Sequence, residues 1–332
     1  MHSNFSARKL LSLALLVLTP AGLLAQVTYT GGVNQNFPGP GDFVLGNGSP
    51  GSVTIAGGSV LTGTDFSRIG YNATGTATVT GAGSTLNNPY GPGNYAGESL
   101  FVGWGAAGNL NILNGGTANT YVASVGNGPG ALGTATVDGA GSAWNISWEL
   151  LVGNGSLNVT NGGTVSDLGQ PDFIIGDGGT GTVNVTGGSS RLSIVSNLDI
   201  GYGGPGNPGN LNVTQGATLT TATSSGRFTG IGYGGTGMVT VDGAGSTWSN
   251  GSNLEVGFIS NGTLSITNGG AVTTQGATVG VGSAATGNLN VNGAGSTLTI
   301  QEGSPNGLTI GGAGIGHMNI LNGGVVTSTG DT

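Results

Sequence analysis

Two aspartates, Asp138 and Asp242, stand at the same place in two copies of the phrase VDGAG, and stacking those copies would put both carboxylates on one face. Paired carboxylates are the raw material of a metal site or an acid pair. The equivalent places in other copies hold Thr80, Thr186 and Asn292, so a small polar corner residue accounts for the position without any metal. Tyr71, Trp104, Tyr202, Tyr233 and Phe258 form a second set. Each directly follows a glycine that ends an apolar segment. In a stack they would align as an aromatic line of the kind that carbohydrate or protein ligands use. An internal aromatic stack supporting a corner would leave the same signature.

Other chemistry is sparse. The remaining Asp and Glu are scattered singly, Arg68, Arg191 and Arg227 fall in different units, and His317 is the one histidine beyond the N-terminal segment. Arg191 replaces a repeat threonine, which reads as drift. IGDGGTGTV, from Ile175 to Val183, touches the calcium-binding nonapeptide pattern without repeating it in tandem. Absence of cysteine excludes disulfides and thiolate chemistry. No catalytic residues, metal or cofactor are therefore expected, and the chain reads as non-enzymatic. A carbohydrate-active protein should gather carboxylates from neighbouring units into one cleft, whereas a structural one should leave them dispersed.

What positions these residues is a glycine-rich phrase repeated eleven times in two alternating versions. VTGAGSTL (Val79 to Leu86), VDGAGSAW (Val137 to Trp144), VTGGSSRL (Val185 to Leu192), VDGAGSTW (Val241 to Trp248) and VNGAGSTL (Val291 to Leu298) are one version. IAGGSVLT from Ile55, ILNGGTAN from Ile112, VTNGGTVS from Val159, VTQGATLT from Val213, ITNGGAVT from Ile266 and ILNGGVVT from Ile320 are the other. The phrase returns at uneven intervals that all fall within the period of roughly 20 to 50 residues typical of stacked repeat architectures. The 74 glycines do not follow a period of three and there are only 11 prolines, which excludes collagen. Charged residues make up only 5% and almost every short segment holds a branched aliphatic, which excludes disorder.

Within a unit, GTLSIT (Gly262 to Thr267) alternates so that Leu264 and Ile266 point one way and Thr263, Ser265 and Thr267 the other, as a half-buried strand requires. NLNIL (Asn109 to Leu113), SLNVT (Ser156 to Thr160) and TVNVT (Thr182 to Thr186) repeat the pattern. Such segments end at glycine or asparagine, which turn the backbone at positive φ. Three short segments and their corners per unit make one coil of an all-β, right-handed parallel β-helix of about eleven coils, on the order of 50 Å long at about 4.8 Å per coil. Asn114, Asn161, Asn268 and Asn322 would then occupy equivalent corners of alternate coils, where their amides can bond along the stack. Asn87 to Ser99 and Thr220 to Gly230 read as corner insertions.

Residues 1–25 have the build of a secretory signal peptide helix: Arg8 and Lys9, an apolar run from Leu10 to Leu18, and cleavage after Ala25. Residues 26–42 read as an N-terminal cap or linker, and 43–332 as the solenoid. Thr332 falls directly after a complete repeat signature, so the C-terminal part of the domain reads as truncated. Removing Arg8 and Lys9 takes the net charge from −8 to about −10, too poor in cations to neutralise a row of phosphates, so nucleic acid is excluded as a partner. No later apolar run is long enough for a transmembrane helix.

TGTATVTGAGSTL (Thr74 to Leu86) followed by LFVGWGAAGNLNILNGGT (Leu100 to Thr117) resembles the repeats of bacterial type V secretion passengers, of PEP-CTERM-associated proteins and of autotransporter-associated β-strand repeats generally. The resemblance covers nearly all of residues 43–330. It implies export from a Gram-negative cell and a secreted or surface-held, adhesin-like solenoid. An outer-membrane barrel or a C-terminal sorting signal would be the anchor, if a C-terminal part exists beyond Thr332. An extracellular polysaccharide or a host or neighbouring-cell surface protein is the implied kind of partner. A polysaccharide-binding, lyase or hydrolase β-helix is the alternative.

Overall fold

The structure, a computed structural model, describes residues 26–33, 43–63, 66–88, 100–126, 130–170, 172–221, 227–301 and 307–329. The signal peptide expected over 1–25 lies outside them, as does most of the expected insertion from Asn87 to Ser99. The described residues hold strands and turns and no helix, so none of their segments forms a helix able to cross a membrane.

Each coil presents three strands to three faces. Six- or seven-residue strands such as Gly51–Ala56, Gly75–Thr80 and Gly108–Leu113 stack into the long face, where eleven successive copies pair in parallel. Val60–Thr62, Thr85–Asn88, Thr164–Asp167 and their equivalents make a back face. Phe43–Leu45, Ser67–Ile69, Leu100–Val102, Asp172–Ile175, Asn197–Ile200 and Phe228–Ile231 belong to the third face. Thr117–Val125, Ala143–Val152, Thr247–Val256 and Ala271–Val279 run round the corner from back to third face as single strands. Strands of each coil pair with those of the coil before and the coil after, so the molecule is a parallel β-solenoid. One strand departs from this: Gln26–Gly31 lies antiparallel along Gly51–Ala56 and covers the first edge of the long face.

Period-two burial makes the core. Leu264 and Ile266 are buried while Thr263, Ser265 and Thr267 are not, and the same pattern recurs up the stack. Like packs on like along the axis: Val159, Val185, Val213 and Val241 are successive members of one inward column. Each such side chain, fully withdrawn from water, contributes on the order of 1.5–3 kcal/mol. The tryptophans of the AW and TW phrases are buried too. Trp144 Nε1 donates to Thr120 Oγ1 at 3.1 Å and Trp248 Nε1 to Thr221 Oγ1 at 3.0 Å, so each indole finds a partner in the preceding coil. Outward amides form ladders, as in Asn212 to Asn184 and Asn184 to Asn158, both at 2.9 Å.

Long-face strands carry glycine at one shared register, for example Gly75, Gly108, Gly133 and Gly155. A Cβ at Gly133 would fall on Val102 O and Gly126 N, the backbone of the neighbouring corner. The column is glycine because two coils touch backbone to backbone there.

Corners explain the two alternating phrases. The short corner opens with Asn114, Asn161, Gln215, Asn268 or Asn322 at φ of 52 to 56°, and the long one with Gly81, Gly139, Gly187, Gly243 or Gly293, also at positive φ. A short corner is held by the long ones on either side of it. Asn161 Nδ2 donates to Asp138 Oδ1 at 2.6 Å in the preceding coil, and Gly162 N donates to Ser190 Oγ at 3.1 Å in the following one. Asn268 repeats this with Asp242 at 2.7 Å and Gly269 with Ser296 at 3.0 Å. The expected bonding of corner amides along the stack therefore occurs through the intervening coil and not between the asparagines, which lie two coils apart. The second expected insertion is shorter than its sequence suggested, since Thr220–Thr221 and Phe228–Gly230 are strand.

Candidate binding face

Outward positions of the third face form three parallel columns. Strand alternation sends Leu198 and Ile200 into the core and Asn197 and Asp199 outward. The corner residue that follows, Tyr202, supplies the third column. Reading up the middle column, the residues are Val44, Arg68, Phe101, Ser124, Leu151, Ile174, Asp199, Gly230, Glu255 and Thr278. Several of these outward residues are nonetheless buried, Phe101, Leu151, Ile174 and Asp199 among them. Phe66 and Trp104 flank Phe101, and Tyr121 and Val122 pack with Leu151 and Ile174.

The five aromatic residues singled out in the sequence share one column at this corner, in two blocks. Tyr71 and Trp104 belong to the second and third coils; Tyr202, Tyr233 and Phe258 belong to the seventh, eighth and ninth. Asn154 and Asp177 hold the place between the blocks. Tyr202 and Tyr233 stack with centroids 5.1 Å apart and planes 22° apart, and Tyr233 and Phe258 lie at 5.2 Å and 48°. Rings that close present their edges to solvent more than their faces. Tyr71 and Tyr202 are nevertheless 38% and 39% exposed.

Sequence reasoning missed the rings that enter from the opposite side. Phe228 lies 5.2 Å from Phe258 and 6.3 Å from Tyr233, closing a three-ring cluster, and Phe66 approaches Phe101 at 6.4 Å. Tyr121 and Trp148 stack at 5.6 Å beside the same face. The available signal was period two: Phe66 and Phe228 each stand two residues before a middle-column residue.

Carboxylates are less dispersed than their sequence spacing suggests. Glu149, Asp172, Asp177 and Asp199 come from three successive coils; Asp172 acts through space on Asp199, and all four act on the Tyr202 hydroxyl. Asp199 is 2% exposed, its Oδ1 has no hydrogen-bond partner, and burial, reinforced by Asp172, pushes its carboxyl up to about 7. Glu255 Oε2 is likewise buried without a partner, and burial raises that carboxyl. In the core, at the end of a back-face strand, burial pushes Asp167 up to about 7 against the hydrogen bond from Ser196 at 3.1 Å. No group of three or more potential metal ligands occurs among the described residues.

Asp138 and Asp242 lie elsewhere, on the long face. Asp138 Oδ1 accepts from Thr160 Oγ1 and Asn161 Nδ2, both at 2.6 Å, and Asp242 Oδ1 accepts from Thr267 and Asn268. Both serve the corners.

With this geometry in place, one likeness bears on the solenoid. Over 142 residues the chain is 37% identical to the adhesin BmaC autotransporter of Brucella suis biovar 1 (strain 1330), a match covering 39% of this chain and 4% of that protein. No family model and no solved structure matches the chain. The chain is thus similar to a small part of a much longer autotransporter adhesin, and the parallel solenoid agrees with a passenger-like character.

Proposed function

We propose that the protein is an exported, non-enzymatic, adhesin-like passenger segment at the outer surface of a Gram-negative cell, a rigid rod that presents the third face to its partner. The observation that carries this reading is an unbroken parallel solenoid similar in sequence to part of an autotransporter adhesin. Stacked short units give length and stiffness without a globular core, which suits presentation at a distance. The same likeness favours the type V passenger reading over the PEP-CTERM one. An extracellular polysaccharide or a protein on another cell is the partner class. The test compares producing cells with cells lacking the gene, by antibody labelling of intact cells and by adhesion to coated surfaces. Labelling of intact cells and loss of adhesion in the deletion are expected; labelling of lysed cells alone, or unchanged adhesion, would overturn the proposal.

A carbohydrate-active reading is favoured by one observation, the carboxyl of Asp199 held near neutrality beside Asp172. Release of reducing or unsaturated ends from polysaccharides by the wild-type chain, lost in Asp199→Asn, would replace the non-enzymatic reading with this one.

A further inference from the structure

The third face contains one hexapeptide pattern twice, FSRIGY from Phe66 to Tyr71 and FTGIGY from Phe228 to Tyr233, and both copies occupy the same three columns. In the first copy the middle position is Arg68. Its guanidinium carbon lies 5.4 Å from the ring centre of Phe66, 5.8 Å from that of Tyr71 and 5.9 Å from that of Phe101. It is a cation enclosed by aromatic rings, which attract it through their quadrupoles. In the second copy Phe228 and Tyr233 stand where Phe66 and Tyr71 stand, and the middle position is Gly230. The rings have closed over it: a Cβ there would meet Tyr233 Cδ2 at 3.2 Å, Phe228 Cε2 at 3.3 Å and Phe258 Cδ1 at 3.5 Å.

What brackets the middle position differs between the copies. Around Arg68 the middle column holds Val44 and Phe101; around Gly230 it holds Asp199 in the coil before and Glu255 in the coil after. Each of these two carboxylates keeps one buried oxygen without a hydrogen-bond partner. Unsatisfied buried acceptors in a folded protein call for an explanation, and a cationic ligand supplies one. The second enclosure therefore repeats the Phe and Tyr of the first, has carboxylates in the two flanking middle-column places where the first has Val44 and Phe101, and has glycine where the first has its cation.

We propose that this enclosure receives an arginine or lysine side chain from an extended basic segment of a partner protein, its cationic head over Gly230 between Asp199 and Glu255, with Phe228, Tyr233 and Phe258 parting to admit it. Charge complementarity selects the occupant, since the chain is strongly acidic. An extended segment fits better than a small amine because the acidic line continues through Asp172 and Glu149 into the two preceding coils. The inference rests on the third face being the contact surface of the adhesin-like reading and names its partner.

The test titrates the full chain with a synthetic peptide of alternating arginine and serine, with its citrulline counterpart, and with argininamide, by calorimetry at low salt. The arginine peptide should bind, and the citrulline peptide should bind at least tenfold more weakly. Asp199→Asn with Glu255→Gln should weaken the arginine peptide at least tenfold while thermal melting confirms the fold. Gly230→Arg supplies the cation in place and should abolish binding while leaving the melting temperature unchanged or raised. No binding by the wild-type chain, or equal binding by Gly230→Arg, overturns the site. Argininamide binding as tightly as the peptide overturns the extended segment. Because the readout is a purified chain in solution, it can succeed when cell adhesion fails and fail when adhesion succeeds, so the two proposals fall separately.

Discussion

Asp167 points into the core from a back-face strand of the fifth coil, and Asp199 points outward from the third face of the seventh. Burial holds both near 7, above the ordinary value of 3.8. The native chain thus keeps two protons that the unfolded chain has already released between pH about 4 and about 7, and stability falls as pH rises through that window. The relative stabilisation is complete below the unfolded value and gone above the folded one. Thermal melts should therefore show a higher Tm at pH 5 than at pH 8. Asp167→Asn, which keeps an acceptor for Ser196, should raise Tm at pH 8 by several degrees and flatten part of the slope. An unchanged slope in that variant would refute the assignment. At this scale the aromatic candidates were readable from their position after a glycine, whereas Asp199 and Glu255 were not. Each is a lone acid in its own repeat, and the two come to flank one residue only through two coil steps.

At the scale of elements the corner is the unit that carries the alternation. Ser142 Oγ accepts from Gly115 N at 3.0 Å in the preceding short corner and donates to Asp138 O at 2.6 Å in its own. Ser84, Ser190, Ser246 and Ser296 take the same buried place. Ser142→Ala strips a partner from both backbone groups and should cost about 1–2 kcal/mol in denaturant unfolding. A change within experimental error would show the serine bond to be replaceable by water. The phrase GAGS was legible as a turn, but the reason for its serine was not, since the amide it satisfies belongs to another coil.

For the whole molecule, alternation imposes a parity on the stack. Deleting residues 181–208 removes one coil and brings two short corners, those of Asn161 and Gln215, into contact without a long corner between them. Deleting residues 155–208 removes two coils and keeps short and long corners in phase. In a stacked array stability is close to a sum over units and their nearest-neighbour interfaces, so the longer deletion should by that rule be the less stable. We expect the reverse, with the two-coil deletion melting cooperatively at the higher temperature in circular dichroism. If melting temperature tracks coil number alone, the parity argument fails.

The alternating Leu, Ile and Val of segments such as Gly262–Thr267, and the glycine or asparagine closing each of them, determined the repeat, the all-β class and the stacking of like coils. These are local properties: period two selects a buried side, and positive φ selects a corner residue. Apart from the corner rings, which the preceding glycine marked, tertiary structure decided which outward residues share a surface, because columns run across coils at right angles to the chain. It brought Phe228 to Tyr233 and Phe258, set Asp199 and Glu255 on either side of Gly230, and turned Asp138 from a possible ligand into an acceptor for Asn161. Neighbours along the axis are a whole repeat apart in the chain, and corner lengths that vary from coil to coil hide their register until the strands are paired.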